Sequence, residues 1–237
     1  LYANDPALAD LGSKSGCREV FREAGVHFPD GFERLRDPDD IAGALAALKR
    51  ADPGLRKAVV KLNEGFSGEG NATFRFDGYD ATNERAAKAW CRDRLPQLNF
   101  EAATETWDRF SDKYRQMGGI VESWVEGENK ASPSAQCRVN AMRVAQPIST
   151  HDQLLGGPSG QVFLGCTFPA APVYRMEIQE AGLRVAQVLA GRGVMGRFAT
   201  DFVSVPDGKG GWVHHAIEVN LRKGGTTHPF LTLRFLT

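Results

Sequence analysis

The sequence predicts an α+β fold built largely from antiparallel hairpins, and three observations carry that reading. Short helical stretches with start and stop signals stand among valine-rich runs. A turn-rich connection, Pro206-Asp207-Gly208-Lys209-Gly210-Gly211, joins two apolar runs near the C-terminus. The strict strand–helix–strand alternation of a doubly wound parallel sheet is missing.

Taken in order, Ser13 and Ser15 precede Cys17, Val20, Phe21 and Ala24 at helical spacing, and Gly25 followed by Pro29 ends this first helix. Asp37-Pro38-Asp39-Asp40 opens a second helix through Leu48, closed by Asp52-Pro53-Gly54. The valines of Lys57 to Leu62 mark a buried strand, Gly65, Gly68 and Gly70 a loop, and Thr73 to Phe76 a strand returning beside the first. Residues 80 to 117 form two helices separated by Pro96, followed by a strand over Ile120 to Val125. Strands over Gln136 to Ser149 and Gln161 to Phe168 flank a Gly- and Pro-containing loop. A helix from about Tyr174 to Leu189 then ends at Gly191-Arg192-Gly193, and Phe198 to Val205 and Val213 to Leu221 make the closing hairpin.

With 237 residues, 42% of them hydrophobic, the chain can bury a core in one large domain or two small ones. Its 29 basic and 29 acidic residues cancel, which leaves no electrostatic case for nucleic acid or an anionic membrane as a partner. No apolar run approaches the roughly 20 residues that span a bilayer, and no signal peptide is visible. Cysteines at 17, 91, 137 and 166 lack any CxxC spacing, which argues against zinc and for reduced thiols, so the expectation is a soluble cytoplasmic protein. The chain begins at Leu1 without methionine and stops within an apolar stretch after Phe230, as a piece of a longer protein would.

The richest chemistry lies near the C-terminus. Side chains two apart on a strand point the same way, so Glu218, Asn220 and Arg222 share one face of the Val213–Leu221 strand. Magnesium takes oxygen ligands and is commonly held by one or two carboxylates plus substrate phosphates, so Glu218 and Asn220 suit a magnesium-nucleotide site, with Arg222 facing the anion. Asp201, on the preceding strand of the hairpin, can bring a third oxygen ligand beside them.

A second constellation places Lys61 at the end of its strand, ahead of Asn63-Glu64-Gly65-Phe66-Ser67-Gly68-Glu69-Gly70. Glycines let backbone N–H groups approach oxyanions and the lysine adds a point charge, as in phosphate cradles. The lysine precedes the glycines, unlike the P-loop order, as it would if a hairpin loop folded down over the phosphates. A third is Val121-Glu122-Ser123-Trp124-Val125-Glu126-Gly127-Glu128, an apolar strand that could offer backbone groups to an adenine edge and a carboxylate to a ribose.

In this order the three constellations resemble the ATP-grasp superfamily of carboxylate-amine ligases. In STHDQLLGG, FPAAPVYR and EVNLRKGGTTHPF the chain looks closest to the pheganomycin-type peptide ligase branch. The resemblance covers nearly the whole chain. It implies an ATP-grasp fold of two α+β lobes, residues 26–125 and 126–237, after a linker and leading helix over 1–25, with the nucleotide between two antiparallel sheets. It also implies that Lys14 and Lys61 touch the phosphates, that the loop containing Gly65, Ser67, Gly68 and Gly70 closes over them, and that Glu122, Trp124 and Val125 form the adenine hinge. The ribose contact falls at Glu128 or Asn129. Asp201, Glu218 and Asn220 match the ligands of Mg2+, with Mn2+ as an alternative, and Arg222 matches an arginine that holds the acyl phosphate or its parent carboxylate.

Three activities follow from the resemblance. The first is an ATP-dependent ligase joining a small-molecule carboxylate to an amine, completed by a further domain of the same chain. The second is a phosphotransferase acting on a hydroxyl, and the third a non-catalytic nucleotide-binding domain. Arg222, whose planar fork suits a carboxylate, favours the first. His151, Asp152 and Gln153, with Thr226, Thr227 and His228, are candidates for binding an acceptor or donor from apparent loops.

Overall fold

The computed structural model describes residues 4–65, 70–156 and 162–236. The chain divides into two compact units, one of Pro29–Val125 and one that joins Leu1–Phe28 to Glu126–Thr237. The first helix, α1 (Lys14–Glu23), therefore packs within the second of these. Its N-cap is Ser13, whose hydroxyl accepts from Gly16 N at 3.0 Å, satisfying one of the amides that a helix start leaves unpaired.

The unit Pro29–Val125 contains β1 (Gly31–Leu35), α2 (Pro38–Ala51), β2 (Lys57–Leu62), β3 (Asn71–Arg75), α3 (Glu84–Arg94), β4 (Asn99–Phe100), α4 (Trp107–Met117) and β5 (Gly119–Ser123). The strands form one antiparallel sheet in the order β1-β5-β2-β3-β4. Asp37 caps α2 by accepting from Asp40 N at 2.9 Å, with Pro38 just inside the first turn where its missing N–H costs nothing. Asn83 caps α3 in the same way. Ala58, Val60, Phe74 and Val121 on the sheet meet Ile41, Leu45, Trp90 and Phe110 from the helices, and this is the core of the unit. Alternation along β2 places Lys61 on the opposite face from Val60. The short strand β1 is absent from the sequence reading because charged Glu33 and Arg34 interrupt its pattern. Arg34 has φ 62°, and the register slips between Phe32 and Leu35.

The other unit adds β6 (Pro133–Val139), β7 (Ala145–Gly156), β8 (Val162–Thr167), α5 (Arg175–Gly191), β9 (Gly196–Pro206), β10 (Trp212–Asn220) and α6 (Thr227–Leu236) to α1. Its sheet is also antiparallel, ordered β10-β9-β6-β7-β8. Ala135, Cys137, Phe198 and Phe202 from one face pack against Ile178, Val185 and Leu189 of α5 and against Cys17, Val20 and Phe21 of α1. Gly182 lets α5 lie close to β6, because a Cβ there would stand 2.7 Å from the Ala135 Cβ. The β9–β10 turn is held by Asp207, whose Oδ1 accepts from Lys209 N and Gly211 N.

The stretch expected as one strand, Gln136 to Ser149, is a hairpin. Asn140 N donates to Val144 O, Asn140 Oδ1 accepts from Met142 N and Val144 N, and Arg143 takes φ 61°. The asparagine side chain builds a turn where apolar residues on either side suggested continuity. β7 then runs on to Gly156, so His151, Asp152 and Gln153 lie on a strand rather than in a loop. No helix among the described residues is long and apolar enough to cross a membrane.

Candidate active site

Cross-strand register assembles the acidic cluster. Asp201 on β9 faces Ser134 on β6 and Glu218 on β10, so three neighbouring strands each contribute one polar side chain. The β9–β10 pairing shifts by one residue between Ala216, which faces Phe202, and Glu218, which faces Asp201. This bulge leaves Ile217 unpaired and brings a carboxylate, rather than isoleucine, opposite Asp201.

Asp201 Oδ1 accepts from Ser134 Oγ at 2.6 Å and Oδ2 accepts from Asn220 Nδ2 at 2.8 Å. The Asn220 side-chain oxygen, Oδ1, accepts no hydrogen bond among the described residues. Lys14 reaches the cluster from the first turn of α1, its Nζ lying 2.6 Å from Glu218 Oε1. Two local features seat that lysine. Gly16 allows α1 to start hard against Asp10, where a Cβ would lie 1.9 Å from the Asp10 carbonyl oxygen, and Val219 N donates to Cys17 Sγ at 3.2 Å, tying α1 to β10.

Burial and the facing Glu218 carboxylate push Asp201 up to about 6, against the opposing pull of Ser134, Lys14 and Asn220. Two crowded carboxylates with an amide beside them form a hard-oxygen donor set that a divalent cation would relieve electrostatically. Among the described residues no group of three or more His, Cys, Asp or Glu side chains could hold a metal by itself. Two carboxylates plus one amide is the partial set that suits magnesium, which keeps positions for water and substrate phosphates. The residues present fit that ion.

In the other unit Lys61 Nζ and Glu122 Oε1 form an ion pair, their side chains only 6% and 3% exposed. Glu122 sits directly across from Val59, two pairs along from Lys61 and on the same face. Leu62 N donates to Gly70 O at 2.9 Å, and a Cβ on Gly65 would approach Gly70 N to 3.1 Å, so Gly65 and Gly70 close the base of the loop. Ser67 and Gly68 lie outside the described residues. Trp124 N donates to Lys57 O, and the Lys57 ammonium stands 5.6 Å from the Trp124 ring centre. Val125 ends this unit, while Glu128 is exposed in the next, beside Asn129 at φ 54°.

The structure thus gathers Lys14, Asp201, Glu218 and Asn220 in one cluster, and Lys61 with Glu122 in another. Arg222 lies past the end of β10. Its N–H donates to Asn220 O at 2.7 Å, a turn that stops strand alternation, and its exposed guanidinium reaches the Lys223 carbonyl. Asp152 accepts from Tyr174 Oη and Ala171 N, both at 2.8 Å, and so anchors the approach to α5. His151 is buried, its ring 5.2 Å from Phe168 and its Nδ1 without a partner among the described residues, and burial pushes it down to about 4. Thr226 Oγ1 accepts from Gln136 Nε2 at 3.0 Å, and His228 is exposed. Ser134 and Gln136 escaped the sequence reading, since a serine or glutamine in an apolar strand carries no signal until its cross-strand neighbours are known.

A family model described as IQCH-like, ATP-grasp matches residues 90–222, more than half of the chain. L-propargylglycine--L-glutamate ligase of Streptantibioticus cattleyicolor is 34% identical over 224 residues, which are 93% of this chain and 42% of that protein. IQ motif-containing protein H of Danio rerio is 23% identical over 234 residues, 87% of this chain and 22% of that protein. The chain therefore spans less than half the length of these curated relatives. Among solved structures, the biotin carboxylase domain of Hydrogenobacter thermophilus 2-oxoglutarate carboxylase, in complex with MgADP, ADP and bicarbonate, matches with a TM-score of 0.64 at 17% identity. That match covers 94% of this chain and 42% of the other and carries the fold, two antiparallel sheets with their helices. By the match over residues 90–222, the chain belongs to the IQCH-like ATP-grasp family.

Proposed function

We propose that this chain binds magnesium-ATP and, within a longer protein, drives ligation of a carboxylic acid to an amine through an acyl phosphate, releasing ADP and phosphate. The observation that carries the reading is the Asp201–Glu218–Asn220 cluster with Lys14 on its carboxylate. Family membership supports the nucleotide, and the 34% identity to an amino-acid ligase supports the reaction type.

Asp201, Glu218 and Asn220 would hold the magnesium ion, which when bound supplies positive charge against phosphate oxygens. The acid's carboxylate attacks the γ-phosphate in line, the bond to the ADP oxygen breaks, and the amine then displaces phosphate from the acyl carbon. Such a transfer asks little covalent chemistry of the protein and relies on positioning and charge. Lys14 and Lys61 serve as cations for the phosphates. Glu122, Trp124 and Val125 serve the adenine, and Glu128 or Asn129 the ribose. Arg222 holds the reacting carboxylate or its acyl phosphate. The partners are a small-molecule acid and amine, and the four free thiols agree with a cytoplasmic setting.

The test is thermal melting with and without magnesium-ATP, followed by ADP release from the full-length protein against amino acids in pairs. A rise in Tm on adding magnesium-ATP and pair-dependent ADP release are expected. No ATP-dependent rise would remove the nucleotide reading, and ADP release with a hydroxyl acceptor alone would replace ligation by phosphotransfer.

A further inference from the structure

On the sheet face that carries Asp201, at the opposite end of β9, a cavity of about 450 Å³ is lined by Arg138, Gln146, Pro147, Ile148, Arg197 and Arg234. Its size is that of a small-molecule site. Arg138 and Arg197 are direct cross-strand partners, an arrangement that destabilises a sheet when both carry the same charge. Arg234, from the last turn of α6, adds a third guanidinium. None of the three pairs with a carboxylate among the described residues, and the Arg138 guanidinium donates to the neutral Gln146 Oε1 at 3.0 Å. Arg197 Nη1 is sealed from solvent with no acceptor among the described residues. Burial and the other two arginines lower the Arg197 pKa, the strain expected of cations gathered without an anion. In a chain whose charges sum to zero, three unpaired guanidiniums around one cavity are a local specialisation.

Register relates this cavity to the acidic cluster. Ser134 faces Asp201 and Arg138 faces Arg197 along an unbroken β6–β9 ladder, so the arginines share the Asp201 face. Four residues of strand separate Asp201 from Arg197, about 13 Å at the usual rise. Under the proposed function the nucleotide phosphates belong at the Asp201 end, so the anion at the arginine end is one carried by a substrate.

We propose that Arg138, Arg197 and Arg234 form a carboxylate-binding subsite that holds the far end of the acceptor, its amine directed toward the acyl phosphate. The proposal rests on the ligation reading and narrows it. A span of about 13 Å corresponds to roughly three to four residues of extended peptide, so the subsite takes a short peptide with a free C-terminus. Paired guanidinium forks suit a carboxylate, and Pro147 and Ile148 give apolar walls to the chain behind it.

The test is calorimetric binding of trialanine, trialanine amide and inorganic phosphate to the whole chain at physiological salt, for wild type, Arg197→Gln and Arg138→Gln, with magnesium-ATP binding measured separately. Trialanine should bind, its amide at least tenfold more weakly, and either substitution should weaken trialanine at least tenfold while magnesium-ATP affinity stays within twofold. Without ligand, Arg197→Gln should melt higher than wild type because the like-charge contact is gone. If Arg197→Gln does not fold, Arg138→Gln on the exposed side of the cavity reads the same effect. Equal binding of acid and amide, or binding indifferent to both substitutions, overturns the subsite. Phosphate binding without trialanine binding overturns the carboxylate assignment. Absence of magnesium-ATP binding alongside arginine-dependent trialanine binding overturns the proposed function and leaves the subsite standing.

Discussion

Lys14 Nζ lies 2.6 Å from Glu218 Oε1, so a cation from the start of the first helix rests on a carboxylate of the closing hairpin. The Lys14 side chain is 10% exposed and that of Glu218 30%. Glu218→Gln keeps the shape, removes the ion pair to Lys14 and relieves the repulsion on Asp201, which stays near the lysine. The two effects oppose and Glu218 is partly screened by solvent, so we expect a change within about 1 kcal/mol in urea unfolding without nucleotide, and loss of most of the magnesium-ATP stabilisation. A variant that melts like wild type and still responds fully to magnesium-ATP would remove Glu218 from the site.

Lys61 and Glu122 are more deeply enclosed, and the consequence is larger. Removing one member of a buried pair takes the counter-charge from the other, so Lys61→Met and Glu122→Leu should each destabilise by about 3–5 kcal/mol in denaturant unfolding. The double variant should recover most of that loss, because both members of the pair are then gone. Additive losses in the two single variants and the double would show that the pair is not coupled.

Stability should fall on mild acidification through His151. Its folded value is pushed down to about 4 by burial, against about 6.5 for an exposed imidazole, so the unfolded chain binds the proton more readily. The contribution is complete above pH 6.5 and is lost as pH drops from there to about 4, on the order of 3 kcal/mol in all. His151→Phe keeps an aromatic ring beside Phe168 and should flatten that limb of the stability–pH curve. Parallel curves for the two proteins would refute it.

Arg222→Lys retains the charge and loses the planar fork. In the full-length protein ligation should slow at least tenfold, about 1.4 kcal/mol of transition-state stabilisation, while ATP affinity stays within twofold. Wild-type turnover with an amino-acid substrate would take the reacting carboxylate away from Arg222.

Much of this molecule is legible residue by residue. Ser13 and Asp37 sit just ahead of helices α1 and α2 and cap them, and Pro206 to Gly211 fold the turn between β9 and β10. Alternation from Glu218 to Asn220 places both on one face, since side-chain direction along a strand is a local property. The α+β class follows from the same local signals.

Partnerships across the chain are another matter. Glu218 faces Asp201 only because a bulge displaces Ile217, and nothing in the run Ala216-Ile217-Glu218 marks that slip. Ser134 joins Asp201, and Arg138 meets Arg197, through the register of β6 on β9, strands separated by a hairpin and a helix. Lys14 and Glu218 meet through the packing of Cys17 on β10. The sequence by itself determined which residues could carry a magnesium-nucleotide chemistry and which face of each strand they occupy. Tertiary structure alone decided which of them touch, because register and helix docking are settled by long-range burial and cross-strand hydrogen bonding.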